Sequence, residues 1–169
     1  MLNEALTAAV LDVERYVSAA GWDQPARLFA LAPTAALVKA APDLAAQLGA
    51  PDRAPGHLSS IEQEDFHGGR DLLAALAHLA WPETVVGCIL ALERSFLPPA
   101  FEPAIPDDPD DAAQFVNDHP ERQELRVVTG VLRDGARHSV ARVKDRPDEL
   151  LGGTDMAPGL AAALLATFD

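Results

Sequence analysis

The strongest constraint on how this chain can fold is Asp134–Gly135, a turn-forming pair between two runs rich in β-branched residues. An Asp-Gly pair favours a tight hairpin turn because glycine accepts positive φ without strain. The flanking runs, residues 124–132 and 136–144, are therefore predicted to be adjacent antiparallel strands. This hairpin indicates a sheet that is mainly antiparallel.

Three further stretches are predicted to join the sheet. Residues 27–31 form a short apolar run that Pro33 ends, and residues 58–66 alternate weakly, as an edge strand does. Residues 85–97 open with VVGCILAL, which is typical of a strand that is buried on both faces and therefore central. The sequence thus predicts about five strands.

Helices are predicted at both ends of the chain. Near the start, apolar residues with 4-3-4-3 spacing share one helical face: Leu6, Val10, Val13, Val17 and Ala20. Near the end, a helix with Pro158 in its first turn is predicted to bury Leu160, Leu164, Leu165 and Phe168. Because helices and strands mix without βαβ spacing, the predicted fold is α+β, with several helices packed on the sheet.

One domain is predicted over residues 1–169, since a chain of this length that is 49% hydrophobic can bury a core. Residues 98–111 are acidic, rich in proline and without periodicity, so they are predicted to be a connector. Within it, Asp110 or Asp111 is predicted to cap a short helix that ends near Asn117.

Charge and motifs exclude several function classes. A net charge of −13 argues against binding to DNA or to an anionic membrane surface. No phosphate-binding loop or dinucleotide motif is present, and the lone Cys88 allows neither an intramolecular disulfide nor a cysteine metal cage, so no cofactor is predicted. The first residues lack a basic region and no apolar run is long enough to span a bilayer. We expect a cytoplasmic protein.

Two stretches offer candidate chemistry. Glu62, Glu64 and His67 lie close together in sequence, and on a strand the two glutamates would face the same side, as in a site for a divalent cation or for acid–base catalysis. The alternative is a charged edge strand that discourages aggregation. Cys88 lies in an apolar run, where a thiol is buried and unreactive.

Basic residues concentrate late in the chain. Between Arg122 and Arg146 there are seven basic and three acidic residues, a charge of +4, so the remaining residues carry −17. Such a hairpin could bind an acidic partner, a phosphorylated ligand or RNA. Alternatively, its arginines pair within the protein, with the acids of residues 102–111, or with a second subunit.

The segment GWDQPARLFAL, residues 21–31, combines Trp22, Pro25, Arg27 and Phe29 in a chain with few aromatic residues. It offers no nucleophile and only Asp23 as a base. Trp22 and Phe29 are predicted to pack between the first helix and the sheet, and Arg27 to pair with Asp23 or another acid. The segment is therefore predicted to anchor the chain.

The chain also resembles a single-domain actinobacterial family without an assigned activity. The resemblance rests on W-D-Q-P-x-R-L-F-A-L at residues 22–31, E-Q-E at 62–64, A-W-P at 80–82, H-P-x-R-Q-E-x-R at 119–126, G-V-L-R-D-G at 130–135 and P-G-L at 158–160. It covers nearly the whole chain and carries over no catalytic residue. It does imply a family motif, which we take as the candidate binding surface: His119, Arg122, Gln123, Glu124 and Arg126. The alternative is that these residues have a packing role.

Three hypotheses follow for the function. The first is a non-catalytic protein-binding module of the adaptor or escort type that acts as a homodimer, which an exposed apolar patch or strand edge would favour. The second is a metal- or small-molecule-binding protein or enzyme that uses Glu62, Glu64, His67 and His119, which a deep pocket gathering them would favour. The third is phosphate or RNA recognition by the hairpin, which a continuous arginine face would favour.

Overall fold

A computed structural model of the protein describes residues 2–22, 24–34, 39, 43, 58–63, 66, 72–77, 79–96, 99–144, 150–153 and 158–168. These residues contain one antiparallel sheet of six strands. The strands are β1 (Arg27–Pro33), β2 (Leu58–Glu62), β3 (Gly87–Phe96), β4 (Gln123–Leu132), β5 (Arg137–Val143) and β6 (Leu150–Gly153). Their order across the sheet is β2-β1-β3-β4-β5-β6, so β3 and β4 are central and β2 and β6 are the edges.

The described helices lie at both ends of the chain and between strands. They are α1 (Leu2–Ala19), α2 (Leu72–Ala77), a 3-10 helix η1 (Pro99–Ala104), α3 (Pro109–Asp118) and α4 (Pro158–Ala166). The predicted α+β class, the antiparallel sheet and the two terminal helices are confirmed. The prediction of about five strands is corrected to six. β6 was missed because its sequence, LLGG, is short and half glycine, which gives no β-propensity signal.

One face of the sheet is covered by α1, which packs chiefly against β4 and β5. Four residues of its predicted stripe are buried: Leu6, Val10, Val13 and Val17. Ala20 is exposed, contrary to the prediction, because the helix ends at Ala19. Gly130 allows α1 to lie close to the sheet, since a Cβ there would lie 2.7 Å from Cγ2 of Val10.

The opposite face of the sheet carries α2 and α4. Leu76 of α2 and Leu164 of α4 pack there against buried strand residues that include Cys88 and Leu90. Trp81 closes this layer, because its Nε1–H donates to Oγ1 of Thr167 at 2.9 Å. The core is therefore divided by the sheet into two apolar layers.

The predicted hairpin is confirmed as β4 and β5. Gly135 has a φ of +96°, and the backbone N–H of Ala136 donates to the Asp134 carboxylate at 2.9 Å. The predicted central strand and edge strand are confirmed as β3 and β2, although β2 ends at Glu62, four residues before the predicted end.

β3 and β4 pair along their whole lengths, yet residues 97–122 separate them in sequence and include η1 and α3. The stretch predicted as an irregular connector thus contains helical structure. α3 is capped by Asp108, not by Asp110 or Asp111, because Pro109 suits the first helical position and the Asp108 carboxylate accepts the N–H of Asp111 at 3.1 Å.

Candidate functional site

Five charged side chains form a row across the α1 face of the sheet, at the end where β3 leaves for η1. We call it the charged row, and strands β1 to β5 contribute one residue each: Arg27, Glu62, Glu93, Arg126 and Arg142. Strand alternation places these residues on the same face as the apolar residues that α1 covers. The α1 face is thus apolar towards one end and ionic at the other.

Arg126 is the most deeply buried member of the charged row, with only 1% of its surface exposed. Its Nη1 donates to Oγ of Ser18 at 3.0 Å, and its Nη2 donates to the carbonyl of Gly21 and lies 3.5 Å from Oε2 of Glu93. Its guanidinium also lies over the ring of Trp22, 4.5 Å from the centroid. Arg126 therefore fastens the end of α1 and the loop that follows it to the middle of the sheet.

The loop between α1 and β1 is held from its other side by Gln24. The Gln24 backbone N–H donates to Oε2 of Glu93 at 2.9 Å. Its side-chain amide donates to the carbonyls of Val17 at 2.9 Å and Gly21 at 2.6 Å, which closes the end of α1. Gln24, which the prediction for this segment did not include, thus joins Trp22 in anchoring the chain, while Asp23 lies outside the described residues.

Arg27 and Glu62 form a bidentate ion pair between β1 and β2. Nε and Nη2 of Arg27 each lie 2.7 Å from a carboxylate oxygen of Glu62, and Nη1 donates to the Gln24 side chain at 2.9 Å. The hydrogen bonds from Arg27 lower the pKa of Glu62, and the same bonds raise the pKa of Arg27. Tyr16 covers the pair, with Arg27 5.0 Å from its ring centroid.

Glu14 of α1 reaches the last member of the charged row. Its carboxylate is fully buried and accepts from Nε of Arg142 at 2.5 Å and from Oγ of Ser18 at 3.2 Å. Sequence reasoning missed this residue. The available signal was its position beside the apolar stripe, one residue after Val13 and four after Val10, where a glutamate must find a partner.

The charged row is internally satisfied. Among the described residues, every buried side-chain nitrogen or oxygen has a hydrogen-bond partner. Buried ion pairs of this kind hold geometry, since loss of one partner leaves the other charge buried and unpaired. The row therefore positions elements of the fold.

Glu62 was predicted to belong to a metal or acid–base set with Glu64 and His67. Its carboxylate is occupied by Arg27, while Glu64 and His67 lie outside the described residues. Within the part of the chain that the structure describes, no three His, Cys, Asp or Glu side chains form a group that could hold a metal. The structure does not bring Glu62 and His119 together, since β2 is an edge strand and His119 precedes the central β4.

Cys88 is fully buried in β3, and burial raises the pKa of its thiol to about 12. A group with that pKa is protonated at neutral pH and is a poor nucleophile. This environment agrees with the predicted burial of Cys88.

The H-P-x-R-Q-E-x-R motif divides between two roles. Arg126 belongs to the buried charged row, and Gln123 begins β4 on the alternate face, paired with Phe96 of β3. The other three predicted residues, His119, Arg122 and Glu124, line two adjacent surface depressions. These depressions share Pro120.

The first depression, which we call the His119 groove, lies along α3, beside the residues that precede and follow this helix, and has a volume of about 450 Å³. Its lining residues are Pro106, Asp111, Gln114, Phe115, Asp118, His119 and Pro120. The His119 ring lies 4.6 Å from the ring of Phe101 and 5.6 Å from that of Phe115, and its Nδ1 accepts the N–H of Glu121 at 3.0 Å. Because Nδ1 accepts this hydrogen bond, Nε2 is the ring nitrogen that can donate one.

The second depression, which we call the Arg122 pocket, has a volume of about 360 Å³ and is lined by Pro120, Arg122, Glu124 and Lys144. Lys144 lies 2.9 Å from the Glu124 carboxylate and 5.9 Å from the ring centroid of Trp22. Arg122 is exposed beside this pair. The His119 groove thus has acidic side chains from α3, and the Arg122 pocket, on the other side of Pro120, has basic ones.

Three other arginines of the hairpin have partners within the chain, namely Arg126, Arg133 and Arg142, while Arg146 lies outside the described residues. Arg126 and Arg142 point into the charged row, whereas Arg133 donates to the carbonyls of Val85 and Pro82 at the other end of β4. Pairing within the protein thus accounts for Arg126 and Arg142, whose partners are Glu93 of β3 and Glu14 of α1.

No helix among the described residues has both the length and the apolarity needed to cross a membrane. A family model described as PPA1309-like protein matches residues 6–169 of the chain. No curated protein and no solved structure matches the chain.

Proposed function

The chain belongs to the PPA1309-like protein family, and we propose that it is a non-catalytic protein-binding module of the adaptor or escort type. In this proposal it acts in the cytoplasm as a homodimer. The observation that carries the proposal is the continuous surface formed by the His119 groove and the Arg122 pocket. The groove is open and largely apolar and has acidic side chains, and the adjoining Arg122 pocket has basic ones, which is typical of protein-recognition surfaces.

The helix that forms one wall of the groove supports this proposal. α3 buries none of its own residues completely, and Phe115 is only half-buried although it faces His119. A ten-residue helix gains most of its stability from packing an apolar face. A bound partner that covers Phe115 and His119 would supply packing that the described chain gives only in part.

Charge defines the ligand that fits this surface. Arg122 and Lys144 outnumber Glu124 in the pocket, which leaves it one positive charge, whereas Asp111 and Asp118 line the groove. We propose that the ligand is a short segment of another protein with a large apolar side chain for the groove and an acidic residue for Arg122 and Lys144. Such a segment satisfies both sites without a deep cavity.

The buried groups support a non-catalytic role. The carboxylates of Glu14, Glu62 and Glu93 each face an arginine of the charged row, and Cys88 has a raised pKa. Groups fixed in this way contribute to the fold and are poorly placed to exchange protons with a substrate.

The proposal is tested with a random peptide display library selected on the immobilised wild-type protein. We expect enrichment of peptides that combine an aromatic or aliphatic residue with a neighbouring acid, and Kd values in the micromolar range (about 1–100 μM) for a surface of this size. Arg122→Glu reverses the charge at the pocket and should weaken the selected peptides at least about tenfold.

Arg15→Glu is the matched control, because Arg15 is a highly exposed arginine of α1 and undergoes the same charge reversal. It should leave peptide binding unchanged. Absence of any enriched class, or equal binding by the Arg122→Glu variant and the wild type, would contradict the proposed surface.

A further inference from the structure

β6 is an edge strand of the sheet that the described residues form. β6 is the last strand of the sheet and pairs with β5 on one side, and no described strand pairs with its other side. The outward N–H and C=O groups of such an edge form a template for another extended chain. β6 is therefore a place where the sheet can be extended.

The side chains of β6 are apolar and exposed, and they lack the features that usually protect an edge strand. Leu150 is 38% exposed and Leu151 is 51% exposed, and among the described residues only one other large apolar side chain, that of Tyr16, is exposed. Natural edges are commonly protected by charged residues, proline or a bulge. The sequence of β6, LLGG, contains no charged residue and no proline.

Gly152 provides a second observation. A Cβ at this position would have its nearest contacts, the Ser139 carbonyl and Cγ1 of Val140, at 3.9 Å, which is an ordinary van der Waals distance. Its φ lies outside the positive region, so its backbone conformation does not require glycine either. Within the part of the chain that the structure describes, neither crowding nor strain explains glycine at 152, and a glycine within a strand often marks the close approach of another chain.

We infer that β6 pairs antiparallel with β6 of a second copy of this chain, which makes one continuous sheet of twelve strands. The inference rests on the homodimer of the proposed function and adds the surface through which it forms. A two-fold axis perpendicular to the sheet makes the pairing self-complementary, because the backbone N–H groups of each β6 then donate to the C=O groups of the other. It also keeps α1 of both copies on the same side.

This symmetry restricts the register. Directly opposed residues of two paired strands point to the same side of the sheet. Each residue of β6 must therefore lie opposite a residue of the second β6 whose side chain points to the same side. The register in which both exposed leucines contact the second copy has the two-fold axis at Leu151. Leu151 then packs against Leu151 of the second copy, and Leu150 lies opposite Gly152 of the second copy. The glycine makes room for that leucine.

Charge restricts where a second copy can approach this protein. The whole chain has a net charge of −13, so two copies repel one another over most of their surfaces. An edge without charged side chains brings the copies together with the least like-charge repulsion. Because the paired edge is only four residues long, we expect a reversible dimer with a Kd in the micromolar range (about 1–100 μM).

The test measures mass by sedimentation equilibrium over a concentration series of the full chain. Leu151→Lys places two like charges opposite each other on the axis and should raise the dimer Kd at least about tenfold. Gly152→Val should raise it by a similar factor while the melting temperature of the dilute protein is unchanged or higher, because valine fits position 152 within one chain. Ala162→Lys is the control, since Ala162 is an exposed apolar residue of α4 that acquires the same charge.

Each outcome has a distinct meaning. A wild type that stays monomeric to about 1 mM overturns both the homodimer and this surface, while the peptide selection tests the groove separately. A dimer that persists in Leu151→Lys and Gly152→Val leaves the homodimer standing and overturns its assignment to β6. Loss of the dimer in both variants, with the Ala162→Lys dimer intact, supports the inference.

Discussion

Replacing Arg126 by alanine removes the group that joins α1, the following loop and β3. The substitution deletes the donors to Ser18 and to the carbonyl of Gly21, the contact with Glu93, and the cation over Trp22. A hydrogen bond from a charged donor contributes about 1.5–3 kcal/mol, and a partly desolvated cation–π contact contributes about 0.5–2 kcal/mol. The cost of burying the guanidinium offsets part of this sum.

The expected net loss is about 3–5 kcal/mol, the range for breaking a buried ionic network by removing one member. For a chain of this size that loss lowers the melting temperature by about 6–20 °C. The assay is urea and thermal unfolding followed by circular dichroism. Arg126→Lys should fall between the wild type and the alanine variant, because lysine keeps the charge but lacks the planar fork that reaches several acceptors.

Two further measurements make the result specific. Arg122→Ala, four residues earlier and exposed, should change stability by no more than about 0.5 kcal/mol. Chymotrypsin should cleave after Trp22 faster in the Arg126→Ala variant, since the loop has lost its anchor. An alanine variant as stable as the wild type, with unchanged cleavage at Trp22, would refute the structural role assigned to the charged row.

The remaining predictions concern one residue each. Cys88, with a pKa of about 12, should react with a disulfide reagent at pH 8 at least about 1000-fold more slowly than a free thiol, and rapid reaction would show that β3 is not buried. Glu62 has a lowered pKa in the folded protein because it pairs with Arg27. The pairing therefore stabilises the fold fully above about pH 4.3, the pKa of a glutamate in the unfolded chain. This stabilisation is lost as the pH falls through the lower pKa of Glu62 in the folded protein. The stability difference between wild type and Glu62→Gln should therefore shrink below about pH 4.3 in unfolding curves, and a constant difference would contradict the pairing. Gly130→Ala should cost about 1–3 kcal/mol, since its Cβ would lie 2.7 Å from Cγ2 of Val10, and an unchanged unfolding midpoint would show that α1 is not held so closely.

Local sequence signals predicted most of the fold because each depends on only a few residues. Asp134–Gly135 fixed a turn, the VVGCILAL run indicated burial on both faces, and the spacing of the α1 stripe matched a helical face. β6 escaped prediction because four residues that include two glycines have neither alternation nor β-propensity. The cap of α3 was misplaced by two or three residues because several aspartates there suit a cap equally well.

The charged row was beyond prediction for a different reason. Its contacts join residues that are far apart in sequence: Glu14 bonds to Arg142, and Ser18 bonds to Arg126. Pairing the correct arginine with the correct acid requires the strand order and the register, which no local pattern contains. The segment GWDQPARLFAL, residues 21–31, was nevertheless predicted to anchor the chain, because it offered large apolar groups and no nucleophile.

The position of α1 has a consequence for synthesis of the chain on the ribosome. α1 ends at residue 19, but it packs against β5, which ends at residue 143, so 124 further residues must be made before its docking surface is complete. At 5–20 residues per second, that takes roughly 6–25 s. During this interval the face formed by Leu6, Val10 and Val13 lacks β4 and β5, the strands against which α1 chiefly packs. The nascent chain should therefore depend on chaperones that shield this helix until the last strands emerge.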